Sequence, residues 1–150
     1  MKRANRSLSE RWRSAVFMVP AMLAPSSKMR VFFHRFRGVR IGDNVEIGHL
    51  VIIDNLYPEM VRIDDWATIT ARCTILAHDE ALAYARGGKE KVAETRICEN
   101  AFIGVHSVVL CGVTVGKRAI VAAGSVVIND VKDDSIVGGV PARLIEKDEN

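Results

Sequence analysis

Acidic residues are almost missing from the first forty positions of this chain. Glu10 stands alone there against ten Lys or Arg, a net of +9, while residues 41–150 carry a net of −6. A basic arm on an acidic body points to an anionic contact: a membrane surface, a lipid-linked substrate or a neighbouring subunit's body. Aromatics make up only 6% of the sequence. No aromatic-interleaved basic face or nucleic-acid motif accompanies the charge, so nucleic acid is not an expected partner. Cysteine is scarce and odd in number. Cys73, Cys98 and Cys111 lack both metal-ligand spacing and a disulfide framework, which fits a reducing compartment. Long apolar runs are missing too. Residues 15–24 follow Lys2, Arg3 and Arg6 in the manner of a signal-peptide core, but the run is too short to span a bilayer.

What the chain does have is a period. Ile41, Ile47 and Ile53 step by six residues, as do Ile63, Ile69 and Ile75, then Ile97, Ile103 and Val109, then Val115, Val121 and Val127. Two positions before each stands a small residue, from Val39, Val45 and Val51 to Val113, Ala119 and Ser125. A six-residue repeat of β-branched residues is the mark of a parallel β-helix built from hexapeptides, each short strand pointing one aliphatic inward. Three strands make one triangular coil, so four coils are expected, a prism roughly 15–20 Å tall at an inter-strand spacing of about 4.8 Å. So short a solenoid needs its ends covered, and self-association is expected. The 49% hydrophobic content of the 150 residues suffices for one such core.

Residues 1–38 read as a basic, largely helical arm, residues 39–137 as the β-helix and residues 138–150 as a C-terminal tail. In the arm, Ser7-Leu8-Ser9-Glu10 has capping-box spacing, with Leu8, Trp12, Ala15, Val16 and Val19 on one face. A second amphipathic stretch sets Met29, Phe32, Phe33 and Phe36 against Lys28, Arg30, Arg35 and Arg37, and Gly38 ends it. Two readings are open for this arm: a cap burying its apolar face on the prism end or a neighbour, or peripheral membrane contact.

The repeat is interrupted twice. Four residues are added between Ile53 and Ile63 and sixteen between Ile75 and Ile97, both after the third strand of a coil. Both excursions therefore leave one corner of the triangle, and the register puts Asp54 and Asn55 beside Leu76, Ala77 and His78. A protruding loop over residues 79–94 on so regular a scaffold is a natural carrier of function.

The motifs Val39-Arg40-Ile41-Gly42-Asp43-Asn44, Thr74-Ile75-Leu76-Ala77-His78-Asp79, Gly112-Val113-Thr114-Val115-Gly116, Ala122-Ala123-Gly124-Ser125 and Gly138-Gly139-Val140-Pro141-Ala142-Arg143 resemble those of the hexapeptide-repeat acyltransferases, in particular the sugar O-acetyltransferase branch. The resemblance implies an all-β, left-handed parallel β-helix; the hand comes from the resemblance alone, since the usual crossover rule favours the right. It implies a homotrimer with acetyl-CoA in a groove between prisms, and a histidine leading into the protruding loop as general base. His78 matches by position, and imidazole chemistry suits the task. Asp54 aligns with the acceptor-binding amide or acid of galactoside-type members, and Asn55, Tyr57 and Asp79 stand beside it. For acetyl-CoA the matching segments are Gly104 and Val105, then Ala122, Ala123 and Gly124, where small residues let a ligand approach. Lys117, Arg118, Arg143 and Lys147 are the candidate phosphate partners. Asn129 stands where many members have Lys. A zinc-binding branch of the fold uses a close histidine pair and a third histidine. His34, His49, His78 and His106 are never closer than fifteen residues, so no metal is expected.

The reading is therefore an acetyl-CoA-dependent O-acetyltransferase acting on a small-molecule or lipid-linked sugar, polysaccharide modification included. It is placed in the cytoplasm or at the inner face of the membrane because acetyl-CoA is a cytosolic metabolite. The alternatives are an N-acetyltransferase of amino-sugar nucleotides on the same fold, and a catalytically silent β-helix used for binding or assembly.

Overall fold

In a computed structural model, residues 8–145 are described, the side chains of residues 10 and 11 excepted. The chain begins with two helices, α1 (Leu8–Leu23) and α2 (Ser27–Arg37). Ser26 caps α2 by accepting from the Met29 N–H at 3.3 Å, and Gly38 closes it in the left-handed region at φ 110°. Of the expected capping box, Ser7 lies outside the described residues.

Short strands follow in groups of three. The first coil holds β1 (Arg40–Ile41), β2 (Glu46–Ile47) and β3 (Ile52–Ile53), the second β4 (Val61–Ile63), β5 (Thr68–Ile69) and β6 (Thr74–Ile75). After an excursion formed by β7 (His78–Asp79), α3 (Ala81–Arg86) and β8 (Lys91–Val92), the third coil adds β9 (Thr95–Ile97), β10 (Phe102–Ile103) and β11 (Val108–Val109). The fourth holds β12 (Thr114–Val115), β13 (Ile120–Val121) and β14 (Val126–Val127). Corresponding strands stack in parallel as three sheets, β1-β4-β9-β12, β2-β5-β10-β13 and β3-β6-β11-β14.

The register shows what the six-residue period encodes. Ile41, Ile63, Ile97 and Val115 form one aliphatic column; Ile47, Ile69, Ile103 and Val121 form the second; Ile53, Ile75, Val109 and Val127 form the third. Apart from the half-buried Ile41 of the first rung, all of these are buried. Each fully buried Ile or Val contributes about 1.5–3 kcal/mol, so the columns are the main source of stability. Cys73 is one of the small buried residues of the repeat, and burial pushes its thiol up.

Corners are as regular as strands. Trp66, Arg72, Asn100, His106 and Arg118 all adopt positive φ between 54° and 62°. Their N–H groups donate to Asp43, His49, Asp65, Ala71 and Glu99 on the preceding coil. A left-handed conformation costs about 1–2 kcal/mol per non-Gly residue, and here it aims an N–H along the stacking axis at two of the three corners.

The structure departs from expectation at both ends. The tail does not simply leave the fourth coil. Val131 bridges Val115, β15 (Ile136–Gly138) stacks on β13, and β16 (Arg143–Leu144) folds back antiparallel on β15, so a partial fifth rung closes this end. At the other end the arm does pack on the first coil, but α2 does so largely through polar side chains, with Val31 among them. Arg30, His34 and Arg37 are buried, whereas Leu8, Trp12, Val16 and Val19 are exposed. Carbonyls of the open first coil need donors, and a guanidinium supplies several where an aliphatic supplies none.

Candidate active site

Both insertions leave the prism between the third sheet and the first, and there the register brings β3 of coil one beside β6 of coil two. Asp54, one residue past β3, is 1% exposed. Its Oδ1 accepts the N–H groups of Leu56 and Tyr57, each at 2.9 Å. Its Oδ2 accepts the Ala77 N–H at 2.7 Å and lies 2.5 Å from His78 Nδ1. A carboxylate has room for these four donors and only accepts, so His78 carries its proton on Nδ1. Nε2 is then left with its lone pair free of Asp54, on a side chain 16% exposed. A positioned carboxylate, an oriented imidazole and a basic nitrogen form a unit suited to taking a proton from a hydroxyl or amine.

This placement differs from the exposed one that an acceptor contact by Asp54 implies. Its side chain is fully buried and both oxygens are engaged, so it faces the histidine and not a ligand. Asn55 is exposed beside it. Tyr57 is buried, its ring centroid 5.6 Å from that of His78, and its hydroxyl donates to Glu90 Oε2 at 3.1 Å. Glu90 was not singled out from sequence. Its other oxygen, Oε1, is buried with no partner among the described residues, beside the same corner. No periodic signal marks it, because it comes from inside the insertion.

The loop itself is folded. His78 and Asp79 pair antiparallel with Val92 and Lys91, so His78 sits on a strand held by the returning arm of the loop. Asp79, exposed, spends Oδ1 on the Ala81 N–H at 2.8 Å and so starts α3. Cys111 lies behind the loop, where burial pushes its thiol up, an unsuitable state for a nucleophile.

The remaining candidates sit elsewhere on the prism. Gly104, Val105, Ala122, Ala123 and Gly124 form the corner between the second and third sheets, with Gly124 donating to the Val105 carbonyl at 2.8 Å. Val105, Ala123 and Gly124 are exposed there. Gly104 needs its lack of a side chain for stacking: a Cβ would stand 2.5 Å from Ala123 N and 2.6 Å from Val121 O. Its smallness is thus demanded by the next coil, whatever approaches from outside. His106 shares this corner and is exposed, with Nε2 3.5 Å from Arg72 Nη1. Lys117 and Arg118 occupy the third corner, paired with Glu99 at 3.2 Å and Asp134 at 2.6 Å. Arg143 lines a cleft of about 310 Å³ at the C-terminal end, together with Asn129, Lys132 and Ser135. Lys132 is a second cation in that cleft, unmarked by any motif. Lys147 lies outside the described residues. One prism therefore holds the His78 corner and the Gly104–Gly124 corner at opposite edges of its third sheet. Among the described residues no group of three or more His, Cys, Asp or Glu is placed to hold a metal ion.

Residues 94–129 match the family described as bacterial transferase hexapeptide (six repeats). YvoF of Bacillus subtilis (strain 168), provisionally named an acetyltransferase, is 31% identical over 126 residues, which are 83% of this chain and 70% of that protein. The galactoside O-acetyltransferase of Escherichia coli (strain K12) is 29% identical over 120 residues, 78% of this chain and 58% of the relative. Among solved structures, the hexapeptide-repeat acetyltransferase VCA0836 of Vibrio cholerae superposes with a TM-score of 0.77 at 24% identity, covering 95% of this chain and 92% of that one. A second structure of VCA0836 contains acetyl-CoA.

Proposed function

Because this chain belongs to the bacterial hexapeptide-repeat acetyltransferases, we propose that it transfers an acetyl group from acetyl-CoA to a sugar or glycoconjugate hydroxyl, with His78 as general base. The observation that carries the reading is the 2.5 Å contact between His78 Nδ1 and the buried Asp54 carboxylate at the mouth of the loop. His78 Nε2 takes the acceptor hydroxyl proton as that oxygen bonds to the thioester carbonyl carbon. The tetrahedral adduct then collapses, the C–S bond breaks, and the imidazolium returns the proton to the departing CoA thiolate. Asp54 holds the Nδ1 tautomer throughout and stabilises the imidazolium charge.

Acetyl-CoA is read onto the Gly104–Val105 and Ala122–Gly124 corner, with the Arg143–Lys132 cleft at the phosphate end. That corner and the His78 corner are different edges of one prism, so we assign the complete site to the groove between neighbouring copies in a homotrimer. The galactoside and VCA0836 relatives support the donor and the acceptor class. The left hand of the coil and placement on the cytoplasmic side follow from the same reading. Asn55, Tyr57 and Glu90 are the acceptor-side candidates.

The test is release of free CoA from acetyl-CoA against a panel of sugars, nucleotide sugars, amino sugars and serine. His78→Ala should lower turnover on the active acceptor roughly 10²–10⁴-fold with little change in acetyl-CoA affinity. Near wild-type turnover would remove His78 as the base, with His106 next to examine. Preference for an amine would make the enzyme an N-acetyltransferase, and no CoA release with any acceptor would leave a binding module.

A further inference from the structure

The helices of the arm are amphipathic in reverse. At about 100° per residue, Leu8, Trp12, Val16, Val19 and Leu23 fall in one stripe along α1. All five are exposed, Leu8 by 76% and Trp12 by 70%. Ser14 and Ala21, buried against the rest of the molecule, lie on the far side of the same helix. The second helix is similar: α2 buries Arg30, His34 and Arg37 together with Val31 and turns Met29, Phe32 and Phe36 outward, Phe32 by 61%. Phe17 ties the two together, 4.7 Å from the Phe36 ring and 5.9 Å from that of Phe33. Exposed apolar stripes of this extent on two adjoining helices mark a docking surface.

Charge decides the occupant. Arg13 and Lys28 are exposed on the same helices, Arg13 with its guanidinium 5.6 Å from the Phe36 ring centroid, and Arg35 is exposed beside them, shared with Asp43 at 3.5 Å. A second copy of this face would set these cations against the same cations. An anionic bilayer accepts both features at once, the apolar side chains at the acyl boundary and the cations among the headgroups. No helix among the described residues is long and apolar enough to cross a membrane, so the contact is one of lying on it. We propose that α1 and α2 dock this protein on an anionic phospholipid surface.

The docking face is joined rigidly to the catalytic corner. Ser14 Oγ donates to the Asn55 carbonyl at 3.0 Å from the buried side of α1. Arg37, fully buried, donates through Nη2 to the carbonyls of Ile53 and Asp54, each at 3.1 Å, and through Nε to Ser14 at 3.1 Å. The backbone that presents Asp54 to His78 is thus held by the two helices that meet the bilayer. The acceptor class that fits such a site is a lipid-linked glycan, a step that rests on the function proposed above; the docking does not.

Flotation of the full chain with vesicles tests the docking. The expected result is recovery with phosphatidylcholine vesicles containing a quarter phosphatidylglycerol and not with phosphatidylcholine alone. Trp12→Glu with Phe32→Glu should cut recovery at least about tenfold, with an unchanged melting temperature and unchanged CoA release on a water-soluble acceptor. In a Trp66→Phe background, emission from Trp12 should shift to the blue on adding the anionic vesicles. Failure to float with anionic vesicles overturns the proposal. So does a double variant that floats like the parent, or one whose mass falls in lipid-free light scattering, which would give the face to a second copy. Flotation without CoA release on any acceptor would leave the docking standing and the transferase reading fallen.

Discussion

Asp54→Asn isolates the electrostatic half of the proposed catalytic pair, because the side chain keeps its shape while one oxygen becomes an NH₂ group. Suppose the remaining oxygen stays with the Leu56 and Tyr57 N–H groups, now 2.9 Å from Oδ1. The NH₂ then faces the Ala77 N–H and His78 Nδ1, now 2.7 and 2.5 Å from Oδ2. Two donors meet at Ala77, and His78 is satisfied only by moving its proton to Nε2, which abolishes the base. Suppose instead the amide flips. The histidine keeps its tautomer, but the Leu56 and Tyr57 donors lose their acceptor. The first arrangement strands the buried Ala77 N–H at about 1–3 kcal/mol, the second takes the Asp54 acceptor from Leu56 and Tyr57, and both remove the carboxylate charge from beside His78. The variant should therefore fold with a melting temperature lower by several degrees. Turnover should fall roughly 10²–10⁴-fold, about 3–5 kcal/mol of barrier. The assay is release of free thiol at saturating acetyl-CoA, followed with a thiol-reactive disulfide dye. Asp54→Asn combined with His78→Ala should be little slower than His78→Ala alone, since the two residues act as a unit. A folded Asp54→Asn enzyme with turnover within a few-fold of wild type would refute the orienting role.

Three further outcomes are expected. Gly104→Ala should destabilise the protein by about 1–3 kcal/mol in chemical denaturation, because its Cβ would meet Ala123 N at 2.5 Å; unchanged stability would refute the stacking argument. His34 is held down to about 3 by burial, then by Arg37 and Arg30, so it stays neutral in the native state while the unfolded chain protonates it near pH 6.5. Its contribution is present above pH 6.5 and is lost as pH falls toward 3, by up to about 1.4 kcal/mol per pH unit. Denaturation curves at pH 7 and pH 5 should differ accordingly, and His34→Gln should flatten the difference. Light scattering at micromolar concentration should give a mass three times the 16.5 kDa chain, and a monomer would defeat the shared-groove assignment.

The coil was legible because it is written in local order. A β-helix repeats one contact, so each inward aliphatic meets its counterpart one turn away, and a six-residue period survives insertions at the corners. That same register places Asp54 beside His78 from spacing alone. The role of Asp54 was not legible, since alignment by position says which corner a carboxylate occupies and not whether its oxygens face a ligand or a ring. Glu90 was invisible for a related reason: it reaches Tyr57 from within an insertion that has no period.

Sequence alone therefore determined the three aliphatic columns, the corner from which both insertions depart and the presence of two amphipathic helices. These follow from side-chain spacing along a regular backbone. Only the tertiary structure decided which face of those helices turns inward. Amphipathicity reports two unlike faces, but the open carbonyls of Ile47, Ile53 and Asp54 needed donors, and Arg30 and Arg37 supply them. With those cations of α2 drawn in, Phe32 and Phe36 were left outside, because a helix cannot present both faces to the same neighbour.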